Sequence, residues 1–208
     1  MTWVKVCGLR SIEEIDVAVE AGADAVGLMV ADSPRQISES DAQRLAQYTR
    51  DVHLGILTFA VTADCSPDHM VDLVTTLGVS GVQPHGAYSE EAAIAARSVD
   101  PDIFVLLPVG VDLSRGLGEW KSMHPDHMPM FDTKLPDLSG GSGVSFDWTL
   151  VGEVDRNFVL AGGLNPFNIG AAIAATRAWG VDASSGLESS LGIKDLSLVR
   201  AFVQGAKT

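Results

Sequence analysis

The 208-residue sequence has few of the features expected of a secreted, disulfide-rich or membrane-spanning protein. Its only cysteines are Cys7 and Cys65, which are too few for a disulfide framework and suit a reducing compartment. The longest apolar runs, such as residues 104–109, last only a few residues, whereas a membrane-spanning helix needs about 20. Residues 1–7 lack the basic segment, apolar stretch and cleavage site of a signal peptide. We therefore expect a cytoplasmic protein with no membrane partner.

Basic residues are also scarce. The chain has 14 Lys and Arg against 27 Asp and Glu, which gives a formal net charge of −13. Binding to a nucleic-acid backbone requires clustered basic side chains, so the composition argues against a nucleic-acid partner. A small anionic substrate stays compatible with this charge, because backbone N–H groups at helix N-termini can bind a phosphate.

Apolar residues, in contrast, make up 46% of the chain. Short apolar runs alternate along the sequence with longer segments of helical period. Continuous apolar runs predict buried strands at residues 4–7, 25–30, 54–59, 81–83, 103–109, 130–132, 158–160 and 181–183. Segments of helical period follow at residues 11–21, 39–48, 67–77, 90–98, 113–123, 148–154, 166–179 and 196–205. The fifth of these contains Gly116 and Gly118, which disfavour a helix. Eight strand–helix units with no linker predict one α/β domain, residues 1–208, closed into a (β/α)₈ TIM barrel; a doubly wound open sheet is the alternative.

In such a barrel the active site lies at the C-terminal ends of the strands. Six polar residues fall at or after predicted strand ends and are expected at this mouth: Cys7, Arg35, His85, Asp132, Asp182 and Ser184. The residue types alone leave their roles open. A cysteine at a strand end is commonly a small buried hydrophobe, and an aspartate there can instead cap a helix.

Two glycine-rich turns follow the last two predicted strands. Gly162-Gly163 opens the seventh loop and Ser184-Ser185-Gly186 follows the eighth strand, which are the loops where this fold frequently binds phosphate. The paired glycines could alternatively serve only a tight turn. A third glycine-rich stretch, residues 139–143 with Gly141 near its centre, is predicted to be a lid over the substrate. His124 and His127 precede the sixth strand with no third ligand nearby, so no metal site is predicted there.

These segments resemble the motifs of the phosphoribosylanthranilate isomerase family. The similar segments are spread in order over nearly the whole chain: residues 4–8, 23–27, 33–35, 82–86, 131–132, 140–143, 146–148, 160–164 and 180–188. Pro84 stands where the family usually has Leu, and its usual Val-Asn at the end of the third strand is interpreted as replaced by Phe59-Ala60. Residues 190–195 lack the usual Pro before Gly192.

The resemblance implies a ribulose-phosphate-binding barrel that catalyses an Amadori rearrangement in tryptophan biosynthesis without a cofactor or metal. It implies that Cys7 is the general base, that Asp132 is the general acid, and that Arg35 binds the anthranilate carboxylate. Further residues are expected to contact the substrate: His85, Gly141, Gly162, Gly163, Asp182, Ser184, Ser185 and Gly186. Of these, Gly163, Ser185 and Gly186 are expected to bind its phosphate. A phosphorylated small molecule is the expected partner. A monomer is favoured, with a dimer as the alternative.

Two other functions compete with this interpretation. The first is a related isomerase of histidine synthesis, which resembles this family in performing the same chemistry. That isomerase has an Asp at the end of strand one, where this chain has Cys7. Its bis-phosphate ligand would also need a second anion site in the first half of the barrel. The other competitor is a non-catalytic phosphate-binding barrel, which the coexistence of Cys7, Asp132 and Arg35 disfavours.

Overall fold

The computed structural model shows a closed barrel of eight parallel strands. It describes residues 1–112, 116–117, 120–121, 123–133, 147–152 and 154–208. The barrel strands are Trp3–Cys7, Ala25–Met29, Leu57–Ala63, Gly81–His85, Phe104–Asp112, Met128–Thr133, Val159–Leu160 and Gly180–Ala183. Each pairs in parallel with the next along the chain, and the eighth pairs with the first, so the sheet has no open edge. The predicted barrel is confirmed, and the open-sheet alternative is wrong.

Helices cover the outside of the barrel. They are Ile12–Glu20, Glu39–Val52, Pro67–Leu77, Ser89–Val99, Ile169–Thr176 and Leu196–Lys207. The first begins after Ser11, whose hydroxyl caps the helix by accepting a hydrogen bond from the Glu14 amide. The Glu14 carboxylate accepts from the Arg10 amide, one residue before the position that a standard capping box uses.

Two predicted helices are absent from the described residues. In place of a helix over residues 113–123, the short strand Gly116–Leu117 pairs antiparallel with the end of the fifth barrel strand. In place of a helix over residues 148–154, a single 3₁₀ turn spans Trp148–Val151. Gly116 has no side chain to pack and lacks helix propensity, which explains the first error.

The third strand lies further along the chain than predicted. It spans Leu57–Ala63 rather than residues 54–59, and Phe59 and Ala60 pair with Gly81 and Val82 in its middle. The interpretation of Phe59-Ala60 as the end of this strand is therefore wrong. Gly55 has a positive φ of 88°, so it belongs to the turn before the strand.

The barrel interior is filled by alternate residues of each strand. At the N-terminal end, Trp3 stacks on Trp179 and Phe104, with centroids 5.2 and 6.0 Å apart. Phe59, Leu106, Met130 and Val159 fill the middle. Trp3, Lys5 and Cys7 are two residues apart along the first strand, so all three point inward and Cys7 lies at the C-terminal mouth.

Candidate active site

A cavity of about 200 Å³ opens at the C-terminal mouth of the barrel. All six polar residues predicted to meet at this mouth line it, together with several that the sequence analysis did not single out: Met29, Ala31, Asp32, Ser33, Pro34, Thr62, Ala63 and Gln83. Asp182 lies on the eighth strand, next to the first strand that carries Cys7, and Asp132 lies on the sixth. The geometry therefore brings a thiol, a carboxyl group and a guanidinium group together around one small-molecule-sized space.

Cys7 is buried at the end of the first strand, and only 3% of it is exposed. Burial raises the pKa of the Cys7 thiol, and the nearby Lys5 ammonium only partly offsets this effect. Gly27 in the neighbouring strand has room for no side chain, since a methyl group there would lie 2.8 Å from the Cys7 sulfur. The thiol is thus packed tightly on one side and faces the cavity on the other.

Asp132 lies one residue before the end of the sixth strand, paired with Gly110 of the fifth. Burial raises the pKa of its carboxyl group to about 6, and the negative charge of Asp182 acts in the same direction. A methyl group on Gly162 would lie 2.9 Å from Asp132 Oδ1, and Gly162 has a φ of +84°. The glycine therefore allows the seventh loop to approach the carboxyl group closely.

Arg35 is buried in the second loop, and its guanidinium forms a two-pronged ion pair with Glu188. Its Nε donates to Glu188 Oε1 at 2.5 Å and its Nη2 donates to Oε2 at 3.1 Å. Lys194 donates to the same Glu188 carboxylate and to the backbone carbonyl of Ser184. The second loop is thereby tied to the segment after the eighth strand. Among the described residues, Glu188 is the partner of the Arg35 guanidinium, which has five N–H donors in all.

His85 and Asp182 also line the cavity, but each already has a partner in the protein. Gln83 Nε2 and His85 Nε2 are 2.9 Å apart, and Asp182 Oδ1 accepts from Lys5 Nζ at 3.0 Å. Burial, assisted by the charge of Lys5, lowers the pKa of His85 to about 4, so its imidazole is neutral at pH 7. Its Nε2 can accordingly accept the hydrogen bond from the Gln83 amide.

A second recess, of about 40 Å³, adjoins the first and is lined by the seventh and eighth loops. Gly162, Gly163, Ser184 and Ser185 all lie in its wall, and Asp132, Asp182 and Ser184 are shared with the larger cavity. Gly186 does not line the recess. It packs instead against the seventh loop, where a methyl group would lie 2.1 Å from the carbonyl oxygen of Leu164. Gly141 lies outside the described residues.

Gln83, Glu188 and Lys194 are parts of the site that were not predicted from the sequence. Residue parity offers a signal for one of them, because Gln83 is two residues from His85 on the same strand and so faces inward with it. His124 and His127 lie near each other before the sixth strand, with ring centroids 5.2 Å apart. In the part of the chain that the structure describes, no cluster of three or more His, Cys, Asp or Glu side chains could hold a metal ion.

The chain is similar to known proteins over nearly its whole length. The family model described as N-(5'-phosphoribosyl)anthranilate (PRA) isomerase matches residues 4–205. A relative of that name from Roseiflexus castenholzii is 36% identical, over 98% of this chain and 97% of its own length. The crystal structure of phosphoribosyl anthranilate isomerase from Thermotoga maritima is 33% identical, with a TM-score of 0.81 over 100% of this chain and 99% of that one.

A further solved structure holds a ligand. It is a phosphoribosyl anthranilate isomerase in complex with reduced 1-(o-carboxyphenylamino)-1-deoxyribulose 5-phosphate. It is 30% identical to this chain, with a TM-score of 0.77 and coverage of 100% of this chain and 99% of that one. Since the family model and these relatives span nearly the full length, the chain belongs to the N-(5'-phosphoribosyl)anthranilate isomerase family.

Proposed function

We propose that Cys7 and Asp132 are the general base and general acid with which this member of the family rearranges its substrate. The observation that carries the assignment is that both side chains line one cavity at the C-terminal mouth of the barrel. Such a rearrangement needs one acid and one base on the same substrate. Both groups lie on strand ends, where a rigid scaffold can hold them in place.

In this scheme the Asp132 carboxyl group protonates the furanose ring oxygen, and the ring opens to a cationic Schiff base. The Cys7 thiolate then removes the proton from the adjacent carbon, and the electron pair of the C–H bond moves toward the positive nitrogen. The resulting enolamine tautomerises to the ketone. A pKa of about 6 suits Asp132 to this role, because a carboxyl group of ordinary pKa would be almost fully ionised near neutral pH.

The phosphate of the substrate is proposed to bind in the smaller recess, against Gly162, Gly163 and Ser185. Glycines allow the backbone N–H groups of the seventh and eighth loops to approach an anion closely. The 3₁₀ turn Ser185–Leu187 follows the eighth strand, where barrels of this kind frequently hold a phosphate. Gly186 acts indirectly by keeping the two loops in contact.

Several broader expectations are part of the same proposal. We propose a cytoplasmic enzyme that folds as one domain over residues 1–208 and needs no cofactor. A monomer is the favoured oligomeric state, and a dimer is the alternative. No helix among the described residues has the length and apolar character to cross a membrane. Light scattering behind size-exclusion chromatography would decide between monomer and dimer.

A fluorescence assay tests the activity directly. Freshly generated phosphoribosylanthranilate should be consumed on addition of the protein, and the histidine-pathway substrate run in parallel should not be turned over. Consumption of both would add the histidine-pathway activity to the proposal, and consumption of neither would overturn the proposed function.

Arg35→Ala is expected to raise KM by about 10- to 100-fold and to lower kcat much less. Loss of a charge-assisted hydrogen bond typically corresponds to about 1.5–3 kcal/mol. The anthranilate carboxylate is present in both the ground state and the transition state. Loss of the Arg35 contact should therefore weaken the binding of both states about equally, which raises KM more than it lowers kcat. Steady-state kinetics on the variant measures both constants.

Arg44→Ala provides the matched control, because Arg44 is exposed and pairs only with Asp41 on its own helix among the described residues. It should leave both constants unchanged. A collapsed kcat with an unchanged KM in Arg35→Ala would contradict the proposed carboxylate contact.

The pH dependence of kcat/KM is expected to be bell-shaped, with an acid limb near pH 6 and an alkaline limb at a pH above the ordinary pKa of a cysteine thiol. Asp132 has a pKa of about 6 and Cys7 has a pKa above its ordinary value, so the acid loses its proton before the base does. Between the limbs only a small, constant fraction of the enzyme carries a protonated Asp132 and an ionised Cys7. Rates measured from pH 5 to 10 test this, and a profile that falls steadily across neutral pH would contradict the assignment.

A further inference from the structure

Lys5 is a fully buried lysine in the middle of the barrel, directly beneath the active-site cavity. Its Nζ donates to Gln83 Oε1 at 2.7 Å and to Asp182 Oδ1 at 3.0 Å. Lysine is almost never fully buried unless it is paired, and apolar residues often stabilise a protein as well as a buried ion pair does. The Lys5–Asp182 pair therefore calls for a role beyond filling the barrel.

The ammonium group lies beside the proposed base. Lys5 and Cys7 are two residues apart on one strand and point to the same side. A methyl group at Gly27 would lie 2.8 Å from Cys7 Sγ and 3.2 Å from Lys5 Nζ, so the thiol and the ammonium flank the same point. Because Gly27 has no side chain, it places no side-chain atom between the two groups.

We propose that Lys5 is a positioning residue whose ammonium is the counter-ion of the Cys7 thiolate, with Asp182 and Gln83 holding it in place. This inference rests on the proposed role of Cys7 as the base. In the proton-removal step the Cys7 thiolate takes the proton from the substrate carbon and becomes a thiol. The C–H electron pair moves toward the Schiff-base nitrogen, and Lys5 keeps its own proton throughout.

The charged groups around Cys7 have opposite effects on the ionisation of its thiol. Among the described residues, Lys5 and Lys194 act on the thiol as positive charges and Asp182 acts on it as a negative charge. Lys194 is already engaged by Glu188 and by Ser184. Asp182 attracts the Lys5 ammonium but repels a thiolate, so it tethers the counter-ion and opposes ionisation of Cys7 at once.

The other neighbours of Lys5 fit the same arrangement. Its ammonium lies 5.7 Å from the centre of the Phe59 ring, where the ring face attracts a cation. Gln83 bridges it to His85, which is neutral because its pKa lies near 4. The Asp132 carboxyl group also interacts electrostatically with Lys5. Gln83 and Asp182 thus fix the position of the ammonium, and Lys5 also interacts with the Cys7 thiol.

Alkylation of Cys7 by iodoacetamide as a function of pH tests the proposal, because the reagent reacts with the thiolate. The extent of labelling at Cys7 is read by mass spectrometry of its peptide, with Cys65 as an internal reference in the same sample. Lys5→Met should move the midpoint for Cys7 to higher pH by at least one unit and lower kcat at neutral pH by at least tenfold, with KM changed less than threefold. Asp182→Asn, which keeps the side-chain shape, should move the Cys7 midpoint to lower pH.

Lys207→Met is the matched control, since Lys207 also forms an ion pair with an aspartate, Asp24, but at the opposite end of the barrel. It should leave the midpoint unchanged. An unchanged midpoint in folded Lys5→Met, or shifts of the same sign in Lys5→Met and Asp182→Asn, would overturn the proposal, because a merely structural role predicts no opposed shifts. If Lys5→Met does not fold, Asp182→Asn decides: a midpoint that stays or rises refutes the counter-ion arrangement.

This experiment separates the inference from the proposed function. Labelling reports the charge environment of Cys7 whether or not Cys7 is the base. Full activity of Cys7→Ser would refute the general-base role even if the midpoints shift as expected, whereas unshifted midpoints would refute only the role of Lys5.

Discussion

Cys7→Ser should fold as the parent does and lose about 10²- to 10⁴-fold in kcat, the range that a positioned proton-transfer group contributes. A serine hydroxyl is nearly the size of the thiol, so the tight fit against Gly27 is preserved. Its pKa, however, is far too high for it to ionise near neutral pH and accept a proton from carbon. Turnover of phosphoribosylanthranilate and the far-ultraviolet circular dichroism spectrum, taken on the same preparation, measure the two properties.

Cys65→Ser is the matched control, because Cys65 is the chain's other cysteine and is also buried. It lies beyond the end of the third strand, where its thiol donates to the Ser66 carbonyl, and it does not line the cavity. Its replacement should leave kcat within about twofold of the parent. If folded Cys7→Ser instead kept full activity, Cys7 would be a packing residue and the base would have to be sought elsewhere in the cavity.

The sequence predicted the barrel because the evidence for it is repeated eight times. Each buried strand is a run of apolar residues, and an error in one unit leaves the others intact. The third strand was misplaced because residues 54–63 contain nearly continuous apolar residues, so periodicity alone could not locate its ends. Gly55 marks the turn that excludes residues 54–56 from the strand.

The site residues that lie at the ends of barrel strands could be predicted from the sequence. Cys7, His85, Asp132 and Asp182 follow from the rule that the C-terminal ends of barrel strands meet at one mouth. The pairing of Arg35 with Glu188 did not follow, since 153 residues separate the two and no local pattern joins them. Whether a side chain faces a ligand or a protein partner depends on such long-range contacts, which the order of the strands does not specify.

Asp132→Asn is expected to abolish turnover and yet to raise the melting temperature at pH 7.5. The amide keeps the shape and hydrogen-bonding capacity of the carboxyl group, but its N–H protons are far too weakly acidic to be delivered to the ring oxygen. The stability gain follows from the raised pKa: ionisation of Asp132 is penalised in the folded state, so the stability of the parent falls as pH rises from about 4 to about 6 and stays lower above that range. Removing the ionisable group removes that penalty, which is on the order of 1–3 kcal/mol.

The controls for Asp132→Asn distinguish a catalytic role from a structural one. Asp126→Asn changes an exposed aspartate just before the same strand, and it should alter neither turnover nor the melting temperature. The stability advantage of Asp132→Asn over the parent should disappear below about pH 4, where both side chains are neutral.

Binding of the reduced product analogue should stay nearly intact, because the cavity keeps its shape. A capping or orienting role for Asp132 predicts the reverse pattern, with lower stability and a modest kinetic loss. If turnover stays within tenfold of the parent, a barrier change of only ~1.4 kcal/mol, Asp132 is not the general acid.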